Sequence, residues 1–358
     1  MRPEPAPLYC FRTASAADGA AINELYCRVT GYRRSLQHWH WLWREAPAGA
    51  GVSNVIERVD ADGRAQELVG HHGVVRLHGW ADGSPIRVGK TENTMVDPAH
   101  RARLLYPRME RQMLLRYRGE FEGIFSLRGP SAALRMRSAL GYRPGPRLIS
   151  EIWYYGWRNC LRSMGQSWWR GRRRIPHCIG AWDARTPRRG PWTHRLDAAD
   201  RQRIEGLMAS ERDRSGVHLS KSPEFLAWRY LRHPAGCYAF SNLGDVCVVA
   251  HEFRRAILVL DEVLPGDIVD LARHELWRRV LQLALDSGYA VIAIEVASAN
   301  RAHRNVLKSC GWSLFRESTS PGISEEQGPP IWSNPEGPQA HRLDPERWVL
   351  GASASEGP

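Results

Sequence analysis

A strand, a basic turn and the start of a helix follow one another in the segment Thr94–Tyr106. The apolar strand ends at residues 95–96, the turn carries Arg101 and Arg103, and the helical spacing of apolar residues begins at Leu104. The first N–H groups of a helix have no partner within it, and the helix dipole favours negative charge there. The segment therefore predicts a phosphate-binding loop, with an ordinary strand-to-helix connection as the alternative.

Length and composition predict two globular domains in a reducing compartment. The chain has 358 residues, more than one typical core accommodates. Hydrophobic residues make up 43% and charged residues 25%, which is the composition of a folded protein rather than a disordered one. The seven cysteines include no C-x-x-C pair and are odd in number, which argues against a zinc knuckle and a disulfide framework. We expect a cytoplasmic protein without a signal peptide or a transmembrane segment.

The same order of elements is predicted twice along the chain. Each half begins with two helices, continues with three strands, and ends with a crossover helix, a buried strand and a short helix. In the first half the predicted elements are a strand over 9–18, helices over 18–29 and 35–43, strands over 52–59, 67–78 and 86–96, a helix over 106–120, a strand over 123–127 and a helix over 131–140. In the second half they are helices over 197–208 and 222–231, strands over 238–241, 245–253 and 256–263, a helix over 267–287, a strand over 289–296 and a helix over 300–310. A flexible loop is predicted over 317–339, before a last strand over 348–350.

The segment Thr94–Tyr106 resembles motif A of the GNAT acyl-CoA N-acyltransferases, roughly V-x-P-x-x-R-x-x-G-x-G/A. Val96, Pro98 and Arg101 match this motif, whereas Leu104 and Tyr106 stand where Gly and Gly/Ala are expected. In the second half, Asn300–Trp312 resembles motif B of the same family. The resemblance to tandem GNAT proteins covers about residues 9–350.

This resemblance implies an α/β (α+β) fold with two tandem GNAT-like domains, each a mixed, mostly antiparallel sheet flanked by helices. We predict an N-terminal domain over 1–150 with the acyl-CoA loop, a Trp/Arg-rich connection over 151–195, and a C-terminal domain over 196–358. The acidic segment Asp261–Asp267 would repel a pyrophosphate. We therefore expect the second domain to lack CoA and to form a wall of the acceptor site.

The resemblance also implies acetyl-CoA or another acyl-CoA as co-substrate, with no metal. The backbone at the strand end would face the acyl carbonyl, and N–H groups of the turn would face the pyrophosphate. The cofactor-binding candidates are Met95, Val96, Arg101, Ala102, Arg103, Leu104, Leu105 and Tyr106. Leu104 adds bulk where glycine allows close approach of a ligand. Three alternatives follow: its side chain turns into the core and CoA binds, CoA binds weakly, or the site is vestigial.

Glu92, His72 and Tyr142 are the candidate catalytic residues. Glu92 is a carboxylate on the strand that enters the turn, and strand alternation places His71 and His72 on opposite faces, so that one of them could act as a base. Each of these residues could instead have only a structural role. Many GNAT enzymes use a tyrosine about four residues before the last Gly-aromatic pair, but Arg137 and Ser138 occupy that region in this chain. Tyr142 is a candidate to replace that acid.

The connection over 151–195 holds six tryptophans and ten arginines, and the formal net charge of the chain is +12. Arginine interleaved with tryptophan suits contact with RNA through phosphates and stacking, or contact with an anionic surface. The alternative is a linker whose tryptophans pack between domains.

Three functions remain open from the sequence. The first is an acyl-CoA-dependent N-acyltransferase that transfers an acetyl or short acyl group directly to an amine of a small molecule or sugar. The second is an aminoacyl-tRNA-dependent transferase of the double-GNAT type, which the basic charge favours. The third is a degenerate GNAT pair that acts as a binding or scaffold module, which the replaced glycines and the replaced tyrosine favour.

Overall fold

The computed structural model describes residues 8–127, 131–161, 184–187, 189–253, 257–265, 274–297, 302–319 and 328–350. The helices of this part are α1 (Gly19–Thr30), α2 (Leu36–Arg44), α3 (Leu105–Tyr117), α4 (Ser131–Ala139), α5 (Ala198–Arg212), α6 (Pro223–Leu226), α7 (His274–Asp286) and α8 (Ala302–Ser309). A 3₁₀ helix (Pro98–Arg103) precedes α3, and α6 continues as a π-helical turn (Ala227–Leu231). None of the helices described has the length and apolar character needed to cross a membrane.

The strands form two mixed sheets. They are β1 (Leu8–Thr13), β2 (Val52–Val59), β3 (Ala65–Ala81), β4 (Ser84–Val96), β5 (Gly123–Phe125), β6 (Arg143–Pro144), β7 (Leu148–Tyr155), β8 (Ala184–Arg185), β9 (Val217–Leu219), β10 (Ala239–Asn242), β11 (Cys247–Phe253), β12 (Ile257–Leu264), β13 (Val291–Ala297), β14 (Trp312–Thr319), β15 (Pro330–Ser333) and β16 (Trp348–Val349). The order is β1-β2-β3-β4-β5-β15-β6 in the first sheet and β10-β11-β12-β13-β7-β14 in the second.

The two sheets share one plan around a parallel strand pair. In the first sheet β4 and β5 are parallel and α3 connects them. In the second sheet β12 and β13 are parallel, and the chain between them contains α7. Parallel neighbours require such a crossover connection, whereas the antiparallel hairpins β2–β3 and β3–β4 are joined by short turns.

Each half contributes strands to the sheet of the other half. After β6 the chain leaves the first sheet, and β7 inserts between β13 and β14 of the second. After β14 the chain leaves the second sheet, and β15 inserts between β5 and β6 of the first. Two further strands of the second half, β9 and β16, also join the first sheet, where β9 pairs with β3. Each sheet is therefore complete only when both halves are folded.

Serine caps begin the second helix of each half. The Ser35 hydroxyl accepts a hydrogen bond from the His38 N–H at 3.1 Å at the start of α2. The Ser222 hydroxyl accepts one from the Phe225 N–H at 3.2 Å at the start of α6. Such caps satisfy donors that a helix leaves without partners. The tryptophans of α2 and Trp228 of the π-helical turn after α6 are buried in one hydrophobic core that contains residues of both halves.

The predicted fold class is confirmed, and most predicted elements occur within a few residues of their predicted bounds. The loop predicted over 317–339 is wrong, because β14 extends to Thr319 and β15 lies within the loop. Residues 151–155, at the start of the predicted connection, belong to β7. The domain boundaries remain a prediction, and the exchanged strands cross them. Residues 162–183 and 188 of the Trp/Arg-rich segment lie outside the described residues.

Candidate functional site

The parallel pairing of β4 and β5 is short. Its last pair joins Lys90 to Phe125, although β4 continues to Val96. Beyond that pair β4 carries a bulge, where the partners on β3 jump from Gly73 to His71. Asn93 lies in the bulge with a left-handed backbone (φ 51°). Bulges disrupt a ladder locally and often lie next to active sites. The end of β4 is therefore an irregular strand edge rather than the interior of a continuous sheet.

A tight turn connects this strand end to α3. The Asp97 carboxylate accepts a hydrogen bond from the Ala99 N–H at 3.0 Å, and the 3₁₀ helix follows. Arg101 donates from Nε to the carbonyl of Val96 at 3.2 Å. Residues 101–104 are all exposed, and three of the cofactor-binding candidates therefore present side chains to solvent beside Leu104.

Leu104 has the backbone conformation that glycine favours. Its φ is 53° and its ψ is 35°, and α3 begins at the next residue. Its side chain is 68% exposed, so the alternative in which it turns into the core is wrong. Its N–H donates to the carbonyl of Arg101 at 3.3 Å, within the turn. The chain thus keeps the bend of a glycine loop while presenting a leucine side chain at its surface.

A buried carboxylate accepts several hydrogen bonds on the face of the first sheet that packs on α3 and α4. Glu110 of α3 is inaccessible to solvent and accepts hydrogen bonds from His72 Nε2 at 2.9 Å and from the Tyr142 hydroxyl at 2.7 Å. Arg137 of α4 donates to the same carboxylate from Nε and Nη2, both at 3.4 Å. Burial alone would raise the pKa of Glu110, but Arg137 and His72 hold that pKa below its usual range. Burial and then Glu110 raise the pKa of Tyr142.

Arg137 also contacts both strands of the parallel pair. Its Nη1 donates to the Ser126 hydroxyl, and its Nη2 donates to the Thr91 hydroxyl at 3.3 Å. Thr91 and Ser126 are the first residues beyond the last paired residues of β4 and β5. The guanidinium therefore lies at the point where the two strands stop pairing.

The opposite face of the same sheet packs on α2 and carries Glu92. Glu92 pairs with Gly73, and an added side-chain atom at Gly73 would collide with Trp43 of α2. Residues directly opposite each other in a ladder share a face. Glu92 forms an ion pair with Lys90, and each residue is only 5% exposed. A neighbouring lysine stabilises the charged form of a carboxylate.

His71 lies on this second face as well, against Trp43 with ring centroids 5.4 Å apart. Its Nδ1 lies 2.8 Å from the carbonyl of Asn93 in the bulge, so Nδ1 carries the proton and donates it. Burial lowers the pKa of His71 to about 3, which keeps the ring neutral. The Nε2 of His71 has no hydrogen-bond partner among the residues described.

The structure thus separates the three predicted catalytic residues. His72 and Tyr142 meet on Glu110, whereas Glu92 lies on the other side of the sheet. Their catalytic roles remain predictions. Sequence reasoning missed Glu110. The available signal was one carboxylate on the apolar stripe of α3, which also carries Met109 and Met113.

The second half contains a related arrangement. Its last parallel pair joins Leu260 to Ile294, and Glu262 lies two residues farther along β12, as Glu92 lies two residues beyond Lys90. Glu262 accepts an ion-pair contact from Lys221 at 2.5 Å. Asp261 is the bulge residue of β12 and accepts from His251 Nδ1 at 2.7 Å. Both halves therefore bury a Lys–Glu pair beside a bulge.

Solved structures share this fold. A GCN5-related N-acetyltransferase from Kribbella flavida matches with a TM-score of 0.58 and 15% identity, over 91% of this chain and 71% of that chain. One from Anabaena variabilis has a TM-score of 0.56 and 10% identity, over 91% and 73%. Eis1 from Mycobacterium abscessus has a TM-score of 0.52 and 15% identity, over 91% and 74%. No protein-family model and no curated protein matches the sequence.

These similarities cover both halves of the chain and both sheets. The chain therefore has the fold of the GCN5-related N-acetyltransferases, with two mixed sheets flanked by helices.

Proposed function

We propose that this protein is an acyl-CoA-dependent N-acyltransferase that transfers an acetyl or short acyl group to an amine of a small molecule or sugar. The observation that carries this proposal is the end of the β4–β5 pairing, followed directly by a turn that leads into the N-terminus of α3. Where two neighbouring strands stop pairing, their backbone N–H and C=O groups can bind an extended ligand. A helix N-terminus beside exposed arginines suits a pyrophosphate.

In this proposal the donor lies across the strand end. The pyrophosphate contacts the turn, where Arg101 and Arg103 supply positive charge and the first N–H groups of α3 supply donors. The acyl carbonyl lies beside the backbone of Met95 and Val96. On the side facing away from β3, this part of β4 has no strand partner in the portion of the chain that the structure describes.

The acceptor amine approaches from the face that carries Glu92. Glu92 forms an ion pair with Lys90, and a carboxylate can accept the amine proton directly or through a water molecule. The amine nitrogen attacks the carbonyl carbon, the carbon–sulphur bond breaks, and the electron pair of that bond passes to sulphur. The products are an amide and CoA, formed without a covalent acyl-enzyme.

Calorimetric titration with CoA and with acetyl-CoA tests the proposal. We expect the wild-type protein to bind both, and we expect Arg101→Ala to weaken binding at least fivefold because a charge beside the pyrophosphate is lost. Arg203→Ala removes an exposed arginine from α5 and serves as the matched control. Failure of the wild-type protein to bind at millimolar ligand, with Arg101→Ala indistinguishable from it, would reject the proposal.

A binding module without catalysis is the second candidate. The exposed Leu104 side chain favours it, because that side chain stands at the surface where the loop would approach a ligand. Donor binding without release of the CoA thiol in the presence of an amine panel would support this candidate. Turnover with any thioester and any amine would eliminate it.

A further inference from the structure

Arg137 carries a permanent positive charge at the point where β4 and β5 stop pairing. A guanidinium is not deprotonated in proteins, and this one is 2% exposed. It donates to Thr91 on β4 and to Ser126 directly after β5, the two residues that follow the last parallel pair. These hydroxyl groups orient the cation toward the sheet and do not neutralise it.

Glu110 contacts the guanidinium from one side only, through Nε and Nη2. Its two contacts with Arg137 are both 3.4 Å long, whereas charge-assisted hydrogen bonds are usually about 2.7–2.9 Å. The same carboxylate accepts shorter hydrogen bonds from His72 at 2.9 Å and from Tyr142 at 2.7 Å. Glu110 lies on the Nε and Nη2 side of the guanidinium, whereas Nη1 donates to Ser126, so the positive end of this ion pair lies toward the end of β5.

We infer that Arg137 stabilises the CoA thiolate as it leaves, an inference that rests on the proposed function. When the carbon–sulphur bond breaks, the electron pair remains on sulphur as a thiolate beside the guanidinium. No proton passes from Arg137 to sulphur. The amine proton leaves by way of Glu92 and solvent, and the released thiolate takes a proton from water.

An arginine at this position on α4 would act on the leaving sulphur differently from a tyrosine. A tyrosine there would donate a proton to sulphur and would itself become an anion. An arginine supplies charge without proton transfer, so the leaving sulphur stays ionised on the protein. The measurable consequence is a lowered pKa of the CoA thiol in the bound state, because a neighbouring cation favours the charged form of an acid.

The test measures the thiol pKa of CoA bound to the full chain, from thiolate absorbance as a function of pH. We expect a value at least one pH unit below that of free CoA in the wild-type complex. Arg137→Gln should return it to within about half a unit of the free value, on the scale that a nearby cation produces. Arg135→Gln removes an exposed arginine of the same helix and should leave the lowered value unchanged.

Loss of Arg137 leaves Glu110 without its cation, and the single variant could fail to fold. The double variant Arg137→Gln/Glu110→Gln removes both charges and provides the same readout. A bound thiol with the pKa of free CoA in the wild-type complex would overturn the inference. An equal pKa in wild type and in the folded Arg137 variant would also overturn it. Failure of the wild-type protein to bind CoA would instead reject the proposed function itself.

Discussion

Trp41 and Trp228 exchange hydrogen bonds across the two halves of the chain. The indole N–H of Trp41 donates to the carbonyl of Trp228 at 2.7 Å, and the indole N–H of Trp228 donates to the carbonyl of Trp41 at 2.9 Å. Their rings stack with centroids 5.3 Å apart and planes 23° apart. The reciprocal pair joins α2 to the π-helical turn after α6. Together with the exchanged strands, it couples the folding of one half to that of the other.

Removing one indole donor should destabilise both halves together. Trp41→Phe keeps an aromatic ring but leaves the buried carbonyl of Trp228 without its partner, which we expect to lower the free energy of unfolding by about 1–3 kcal/mol. Denaturant unfolding followed by fluorescence and by circular dichroism checks this. Trp157→Phe, at a position 65% exposed, is the control and should change little. Two separate unfolding transitions in the wild-type protein would contradict the coupling.

Glu110→Leu should lower the free energy of unfolding more than any substitution on the protein surface. The change leaves Arg137 buried without a carboxylate, and breaking a buried charge pair typically costs about 3–5 kcal/mol. Thermal unfolding should show a large drop in melting temperature for this variant. Glu24→Leu, an exposed position on α1, should show almost none. Similar melting temperatures for the two variants would show that the buried network contributes little to stability.

The free energy of unfolding should fall as the pH drops from about 6.5 toward 4. In this range two histidines whose pKa values are lowered in the folded protein take up protons only when the chain unfolds. Burial and then Arg34 lower the pKa of His38 to about 4, and burial and then Arg229 lower that of His233 to about 3. Both rings are neutral in the folded protein, whereas the unfolded chain takes up protons near pH 6.5. The full contribution of these groups is therefore present above pH 6.5 and is lost progressively below it.

The expected slope is about 1 kcal/mol per pH unit for each histidine that takes up a proton on unfolding. Denaturant unfolding at several pH values between 7 and 5 measures it. His233→Gln should flatten the slope, since glutamine does not titrate in this range. The exposed His341 provides the control variant His341→Gln, which should leave the slope unchanged. An unaltered slope in His233→Gln would show that other groups govern the acid response.

Leu104→Gly should raise both the free energy of unfolding and the affinity for the acyl donor. A leucine with φ near 53° is strained, at a cost of about 1–2 kcal/mol, which glycine avoids while losing some entropy on folding. We expect the free energy of unfolding to rise by at most about 1 kcal/mol, and the affinity for acetyl-CoA to rise at least threefold as bulk leaves the loop. Calorimetry and denaturant unfolding test the two effects.

Leu36→Gly is the matched control for this substitution. Leu36 is 51% exposed and begins α2, where glycine should lower stability by about 0.5–1 kcal/mol. A loss of stability in Leu104→Gly as large as that in Leu36→Gly would contradict the strain assigned to Leu104. Unchanged acetyl-CoA affinity would show that the leucine side chain does not obstruct the loop.

Local patterns predicted most of the elements because their signals lie within a few residues. The strands predicted over 52–59 and 67–78 correspond to β2 and β3, and the helix predicted over 35–43 corresponds to α2. The partner of each strand was harder to predict. Nothing within Leu148–Tyr155 indicates that its partners are β13 and β14, because pairing energy depends on which edges lie close in the folded chain.

The sequence by itself determined most of the order of helices and strands, its repetition in two halves, and the basic turn before α3. Those features depend on periodicity, caps and turn residues, which act over short distances along the chain. Only the tertiary structure decided that each half contributes strands to the sheet of the other half. It also brought Arg137, Glu110 and His72 together and placed Glu92 on the opposite face. Burial of a charge depends on contacts between residues distant in sequence, so its environment emerges only when the chain has folded.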